Sequence, residues 1–122
     1  MSIEMMYSEI ILDRYRYPHN YGKLTSPDIV VKELNPLCGD AIEFYIKLNG
    51  EHISEIKFSG SGCAISQAST DILTDSVKGK SLDDIKKLDR DFVLELLGIE
   101  ISPVRLKCAL LPLVALKVAV SK

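Results

Sequence analysis

Three cysteines and one aspartate carry the chemistry that this 122-residue chain offers. Cys38 lies in Asn35-Pro36-Leu37-Cys38-Gly39-Asp40. Pro36 removes a backbone donor and restricts φ, and Gly39 opens conformations closed to other residues. A tight, shaped loop is expected, presenting a thiol with a carboxylate two residues on. Cys63 closes Ser59-Gly60-Ser61-Gly62-Cys63, an adaptable glycine loop just before a helical pattern. A helix start offers unpaired amides and a positive dipole end, which favour a thiolate. Cys108 follows Arg105 and Lys107, whose positive charges also favour a thiolate. Three sulfurs and one carboxylate oxygen make a four-coordinate set for zinc or an iron–sulfur cluster.

Each cysteine also has a plainer reading. Free cysteine is among the most buried residue types, and the glycines before Cys63 suit an ordinary turn. Leu106, Leu110 and Leu111 surround Cys108 as they would a core residue. Pro112 weighs against that last reading. A helical proline clashes with the carbonyl four residues back, here that of Cys108, so the helix should kink or break there. An irregular position suits a ligand better than a core filler. The spacing alone is not specific: 24 residues separate Cys38 from Cys63, and 44 separate Cys63 from Cys108. No C-x-x-C pair occurs, which argues against a zinc ribbon and a thioredoxin-like redox pair. His19 and His52 read as turn or surface histidines and Glu43 as a solvated carboxylate. Neither a phosphate-binding G-x-x-x-x-G-K-[ST] loop nor a nucleophile elbow is present.

Composition narrows the function further. Hydrophobic residues make up 47% and charged residues 26%, a globular balance in a length that suits one domain, residues 1–122. The net charge of −2 shows no basic excess that would announce a nucleic-acid partner. The start, Met1-Ser2-Ile3-Glu4, does not resemble a signal peptide. The most apolar window, Ala109 to Val120, is too short for a bilayer and contains Pro112 and Lys117. A cytoplasmic protein without a membrane partner is expected, and its odd cysteine count disfavours a disulfide framework.

The elements that must position these residues follow from periodicity. Residues 4–17 read as an amphipathic helix with Tyr7, Ile10, Ile11 and Tyr15 on its apolar stripe, stopped by Pro18. Residues 29–34, 41–48 and 53–58 read as three strands. In the second, Ile42, Phe44, Ile46 and Leu48 share one face, with Glu43, Tyr45 and Lys47 on a wet face. Asn49-Gly50 signals a hairpin, and Ile53 falls off register, which points to a bulge or a late start. Helices are expected at 64–77, 82–88 and 90–97, then after Ser102-Pro103. The fold class is α+β: a three-stranded antiparallel sheet with helices packed mainly on one face.

The three cysteine motifs, Asn35 to Asp40, Gly60 to Ser66 and Arg105 to Ala109, resemble those of the IscU/SufU/NifU N-terminal family of iron–sulfur cluster assembly scaffolds. Ile11-Leu12-Asp13-Arg14-Tyr15, with Pro18, Asn20 and Gly22, is similar to that family's start. The resemblance implies a scaffold and carrier, not an enzyme, that builds a [2Fe–2S] cluster and passes it to acceptor apoproteins. It implies a cysteine desulfurase as sulfur donor and leaves open a frataxin-like protein or a chaperone as helper; apolar residues near Cys108 and in the first helix point to a homodimer in the loaded form. Cys38, Asp40, Cys63 and Cys108 match the ligand positions, for the cluster or for Zn²⁺ in its absence, and Cys108 is the favoured persulfide acceptor. Lys107 stands where the IscU branch has histidine, which moves the fourth ligand to Asp40. The same lysine resembles the SufU branch, which implies a zinc-dependent sulfurtransferase as the alternative. The SufU branch usually carries an insertion between its second and third cysteines, for which 44 residues leave little room. Ile101-Ser102-Pro103-Val104-Arg105 departs from the Leu-Pro-Pro-Val-Lys segment read by the IscU chaperone.

Overall fold

The computed structural model describes residues 3–35, 39–98 and 101–121, with the backbone alone at positions 3–8. Alternating apolar residues build an antiparallel meander of β1 (Ile29–Asn35), β2 (Asp40–Asn49) and β3 (His52–Ser61), in spatial order β1-β2-β3. Ile42, Phe44 and Ile46 of β2 and Ile56 and Phe58 of β3 turn to one face and are almost wholly buried. Burying each such side chain contributes about 1.5–3 kcal/mol. Asn49 pairs with His52 across a two-residue turn in which Gly50 takes φ 65°, the left-handed conformation such a turn requires. The register break at Ile53 is a bulge. Lys47 pairs with Glu55 and Leu48 with Ile53, leaving Ser54 as the extra residue, its hydroxyl donating to the Lys47 carbonyl at 3.0 Å. The bulge returns Ile53 to the core.

Helices cover the apolar face. Helix α1 (Ile3–Arg16) packs mainly on α2 (Ala64–Val77), and α2 packs on β3. The last helix, α5 (Pro103–Val120), lies against β1, β2 and α2. Two short helices, α3 (Leu82–Lys86) and α4 (Arg90–Leu97), fill the space between. Their starts are set by side-chain caps: Ser81 accepts from the Asp84 amide, and Asp89 accepts from that of Phe92. Helix–sheet layering of this kind is the expected α+β architecture.

Four expectations change. Helix α1 buries Ile11, but Ile10 and Tyr15 are exposed, because a helix resting on one neighbour needs only a narrow stripe. Tyr45, expected on a wet face, is buried with its hydroxyl 2.8 Å from Ser59 Oγ. The chain from Gly22, bonded to Phe58 of β3, to Asp28, bonded to Ile46 of β2, runs from one edge of the sheet to the other. Strand β3 runs on through Ser59, Gly60 and Ser61, where a loop was expected. A Cβ at Gly60 would stand 2.1 Å from the Ala41 carbonyl oxygen, so only glycine lets the two strands pair this closely. Lastly, α5 continues through Pro112 without a break. Buried Ala109, Leu111, Leu113 and Leu116 hold it in place, and Ser69 Oγ donates to the Ala109 carbonyl at 2.7 Å. Packing outweighs the lost proline bond, and Cys108 sits inside a regular helix.

Candidate functional site

The site forms where the start of β2, the start of α2 and the first turns of α5 meet. Asp40 is the first residue of β2, paired with Asn35, and only 1% exposed. Its Oδ1 accepts the Cys63 amide at 2.8 Å, and Cys63 Sγ lies 3.9 Å from Oδ2. Cys63 is the N-cap of α2: its sulfur accepts the Ser66 amide at 3.4 Å, and Ser66 Oγ donates to the Cys63 carbonyl at 3.0 Å. The helix start therefore holds the sulfur in the way serine or aspartate oxygens usually hold a first turn.

Gly62 makes this contact feasible. Its φ is +141°, and a Cβ there would stand 2.2 Å from Asp40 Oδ1 and 2.9 Å from Asp40 Cα. Gly60 and Gly62 thus serve close backbone approach and not simple looseness. Cys108 enters from α5. Asp40, Cys63 and Cys108 each bring a ligand atom within 4.8 Å of the other two. Three atoms at that separation share a point about 2.8 Å from each, roughly half an ångström beyond a metal–sulfur bond. A small inward movement would let one ion bind all three. Two sulfurs and a carboxylate oxygen suit zinc or iron.

Cys38 lies outside the described residues. Asp40, Cys63 and Cys108 converge, whereas His19, His52 and Glu43 do not join them. Arg105 and Lys107 are exposed at the start of α5. Cys108 is 1% exposed, so its sulfur is not open to a partner in this conformation, while Cys63 is half-buried.

A second group of ligand-type atoms, His19, Asp71 and Asp75, had no signal in the sequence. Asp71 is completely buried in α2. Its Oδ1 accepts the Asn20 backbone and side-chain amides, and its Oδ2 accepts Arg14 at 2.6 Å and the His19 amide at 3.1 Å. Asp75 accepts Arg14 at 2.7 Å and Asn20 at 2.9 Å. Burial alone would raise the Asp75 pKa, but the bonds from Asn20 and Arg14 and the charges of Arg14 and Lys78 hold it below its ordinary value. Burial likewise pulls Arg14 down, and the two carboxylates more than offset it. These carboxylates clamp the turn after α1 onto α2, a structural use that leaves little room for an ion.

Comparison with known proteins shows which family the chain belongs to. The zinc-dependent sulfurtransferase SufU of Bacillus subtilis (strain 168) is 33% identical over 138 aligned positions, covering 99% of this chain and 93% of that protein. The alignment exceeds the 122 residues here, so SufU carries stretches with no counterpart in this chain. The iron–sulfur cluster assembly scaffold protein IscU of Escherichia coli (strain K12) is 36% identical, with 96% of this chain and 93% of that protein covered. A crystal structure from Fervidobacterium islandicum AW-1, described as a cluster assembly scaffold for the SUF system, superposes with a TM-score of 0.78. It shares 30% identity, with 96% of this chain and 98% of that one covered. The NifU-like N terminal domain family matches residues 6–122, and the chain belongs to that family.

Proposed function

We propose that this chain is a scaffold on which a [2Fe–2S] cluster is assembled from iron and desulfurase-derived sulfur, then transferred to acceptor apoproteins. The observation that carries this reading is the convergence of Asp40, Cys63 and Cys108 within 4.8 Å. Family membership and the names of the relatives support it. Cys38, two residues before Asp40 along the chain, supplies the third thiolate in this reading. The cluster is cargo, so the site must hold it and also release it. Thiolates bind iron strongly, and a hard carboxylate oxygen is the weaker, more exchangeable ligand. Asp40 thus completes the donor set and keeps it labile. Three thiolates and one carboxylate leave a net charge of about −2 on a [2Fe–2S]²⁺ core, which Arg105 and Lys107 partly offset.

Sulfur enters as persulfide. A scaffold thiolate attacks the outer sulfur of the desulfurase persulfide, a new sulfur–sulfur bond forms, and the desulfurase thiolate leaves. Cys108 is favoured for this step by its sequence setting, but its burial favours Cys63 for first contact. Mass spectrometry after a single desulfurase turnover decides, through an added mass of about 32 Da, one sulfur atom, on one peptide. An adduct confined to Cys38 would overturn both assignments. Exposed Leu12 and Tyr15 on α1 and Val104 on α5 support a homodimer of the loaded form. No helix among the described residues is long and apolar enough to cross a membrane, which supports a cytoplasmic setting. In this reading the whole chain, 1–122, acts as one domain, and a frataxin-like protein or a chaperone assists.

The likeness to SufU favours a second reading, in which the same Cys₃Asp set holds zinc and the chain relays persulfide sulfur. One experiment separates them. Anaerobic purification followed by iron, zinc and acid-labile sulfide analysis should give iron and sulfide in equal amounts, and reconstitution should restore the visible spectrum. Zinc alone, with no cluster on reconstitution, would establish the sulfurtransferase instead. Chelation should leave the scaffold folded, since most of its core lies away from the site. Unfolding on chelation would mark a structural zinc site.

A further inference from the structure

The cleft between the end of α1 and the outer edge of β3 takes no part in the chemistry above. It holds about 410 Å³, and Arg14, Tyr15, Arg16, Tyr21, Gly62 and Gln67 are among its lining residues. Some of its polar groups are already committed. Arg14 binds Asp71 and Asp75. The Tyr21 hydroxyl donates to the Gly60 carbonyl at 3.1 Å and accepts the Gly60 amide at 3.4 Å. It therefore closes the β3 edge here against an added strand.

Arg16 and Gln67 are among the cleft groups left uncommitted. Arg16 is exposed and forms no ion pair among the described residues. Gln67 is 7% exposed, and its Nε2 is buried with no hydrogen-bond partner among the described residues. Buried amide donors without partners are rare, and each one asks for an explanation. Gln67 lines the cleft, and the terminal torsion of glutamine is broad and two-fold, so its amide oxygen and nitrogen exchange places without moving the stem. Tyr21 and Phe58 meet edge to face at 5.3 Å between ring centres and, with Tyr15, give the cleft an apolar wall.

We propose that this cleft is a subsite for a carboxylate carried on a short apolar stem, with Arg16 and Gln67 binding its oxygens and Tyr15 and Tyr21 flanking the stem. A guanidinium and a primary amide match two coplanar oxygens. The nearby carboxylates of Asp40, Asp71 and Asp75 disfavour a dianion such as phosphate. The carboxylate comes from a free organic acid or from an acidic side chain of an approaching protein segment. The inference is independent of whether the thiols hold a cluster or zinc.

The test is an NMR titration of the ¹⁵N-labelled full chain with 3-phenylpropionate, with its amide 3-phenylpropionamide, and with N-acetyl-phenylalanyl-glutamate amide. Saturable shifts of the Gln67 side-chain amide and the Gly60 and Gly62 amides are expected with the carboxylates and not with 3-phenylpropionamide. Response to 3-phenylpropionate alone would identify a free-acid site, response to the dipeptide alone an acidic side chain, and response to both a site that reads the carboxylate itself. Gln67→Leu should weaken binding about tenfold. Arg16→Gln should weaken it about fivefold, and this exposed position preserves the test if the core variant does not fold. Absence of a saturable shift, equal shifts with the neutral amide, or unchanged affinity in Arg16→Gln would overturn the proposal.

Discussion

Two buried aspartates, Asp40 and Asp71, stand within a few ångströms of other ligand-type side chains, and they differ in how their oxygens are used. Asp71 has both oxygens committed, Oδ1 to Asn20 and Oδ2 to Arg14 and the His19 amide. Among the described residues, Asp40 accepts one short bond, from the Cys63 amide on Oδ1, and its Oδ2 meets a sulfur at 3.9 Å. The difference lies in lone pairs and not in burial, since both residues are at most 1% exposed. A carboxylate saturated by cationic and amide donors is a clamp. One with an oxygen within 4.8 Å of two thiols keeps acceptor capacity beside them. Pairing buried acids with nearby histidine or cysteine is therefore not enough to identify a metal site, and the remaining acceptor capacity must be counted.

Removing the clamp should have the largest effect. Asp71→Ala leaves Arg14 and Asn20 without their buried partner and should destabilise the fold by about 3 kcal/mol, read by chemical denaturation, while the folded fraction still binds metal. Loss of metal binding from that folded fraction would show that the two regions are coupled. Gly62→Ala comes next. The new Cβ must displace Asp40 Oδ1 at a strained φ, so stability should fall by about 2 kcal/mol and metal content should fall with it. Unchanged metal content in this variant would mean that the Asp40 contact does not organise the site. Asp40→Cys should cost about 1 kcal/mol, because the Cys63 amide loses its oxygen acceptor, and should slow cluster transfer roughly tenfold, because a fourth thiolate exchanges less readily than a carboxylate. An equal transfer rate would remove Asp40 from the mechanism.

The smallest effect is acid sensitivity. Asp75 has a folded pKa below its ordinary value of 3.8. Its contribution is therefore fully present above that value and is lost as the pH falls through the lower folded value. With its side chain 34% exposed, solvent screening limits that contribution to a fraction of a kcal/mol. Asp75→Asn should flatten the acid limb of the stability profile below the ordinary carboxylate range and leave neutral pH little changed. A steeper acid limb would contradict the assigned direction.

Much of the fold was legible because its signals are local. The alternation of Ile42, Phe44 and Ile46 marks β2, and the caps at Ser81 and Asp89 mark two helix starts. The expected span of α2, residues 64–77, matches the observed helix, with Cys63 as its cap. Other features depend on partners distant in sequence. Tyr45 is buried with its hydroxyl against Ser59, fourteen residues further along the chain. Cys108 stays in a regular helix because α5 packs on the sheet and on Ser69, which no reading of Pro112 alone can supply. The Asp71 clamp joins positions more than fifty residues apart and leaves no periodic trace.

Residue chemistry, strand alternation and helix caps are properties of neighbours along the chain, and the sequence by itself determined them: an α+β domain, a thiol–carboxylate donor set and a cysteine at a helix start. The tertiary structure decided which carboxylate is saturated by donors and which lies beside two thiols, that Cys108 is buried while Cys63 is partly open, and that two glycines exist for close approach and not for flexibility. Those outcomes turn on distances of 2–5 Å between segments far apart in sequence, where only packing determines which groups meet.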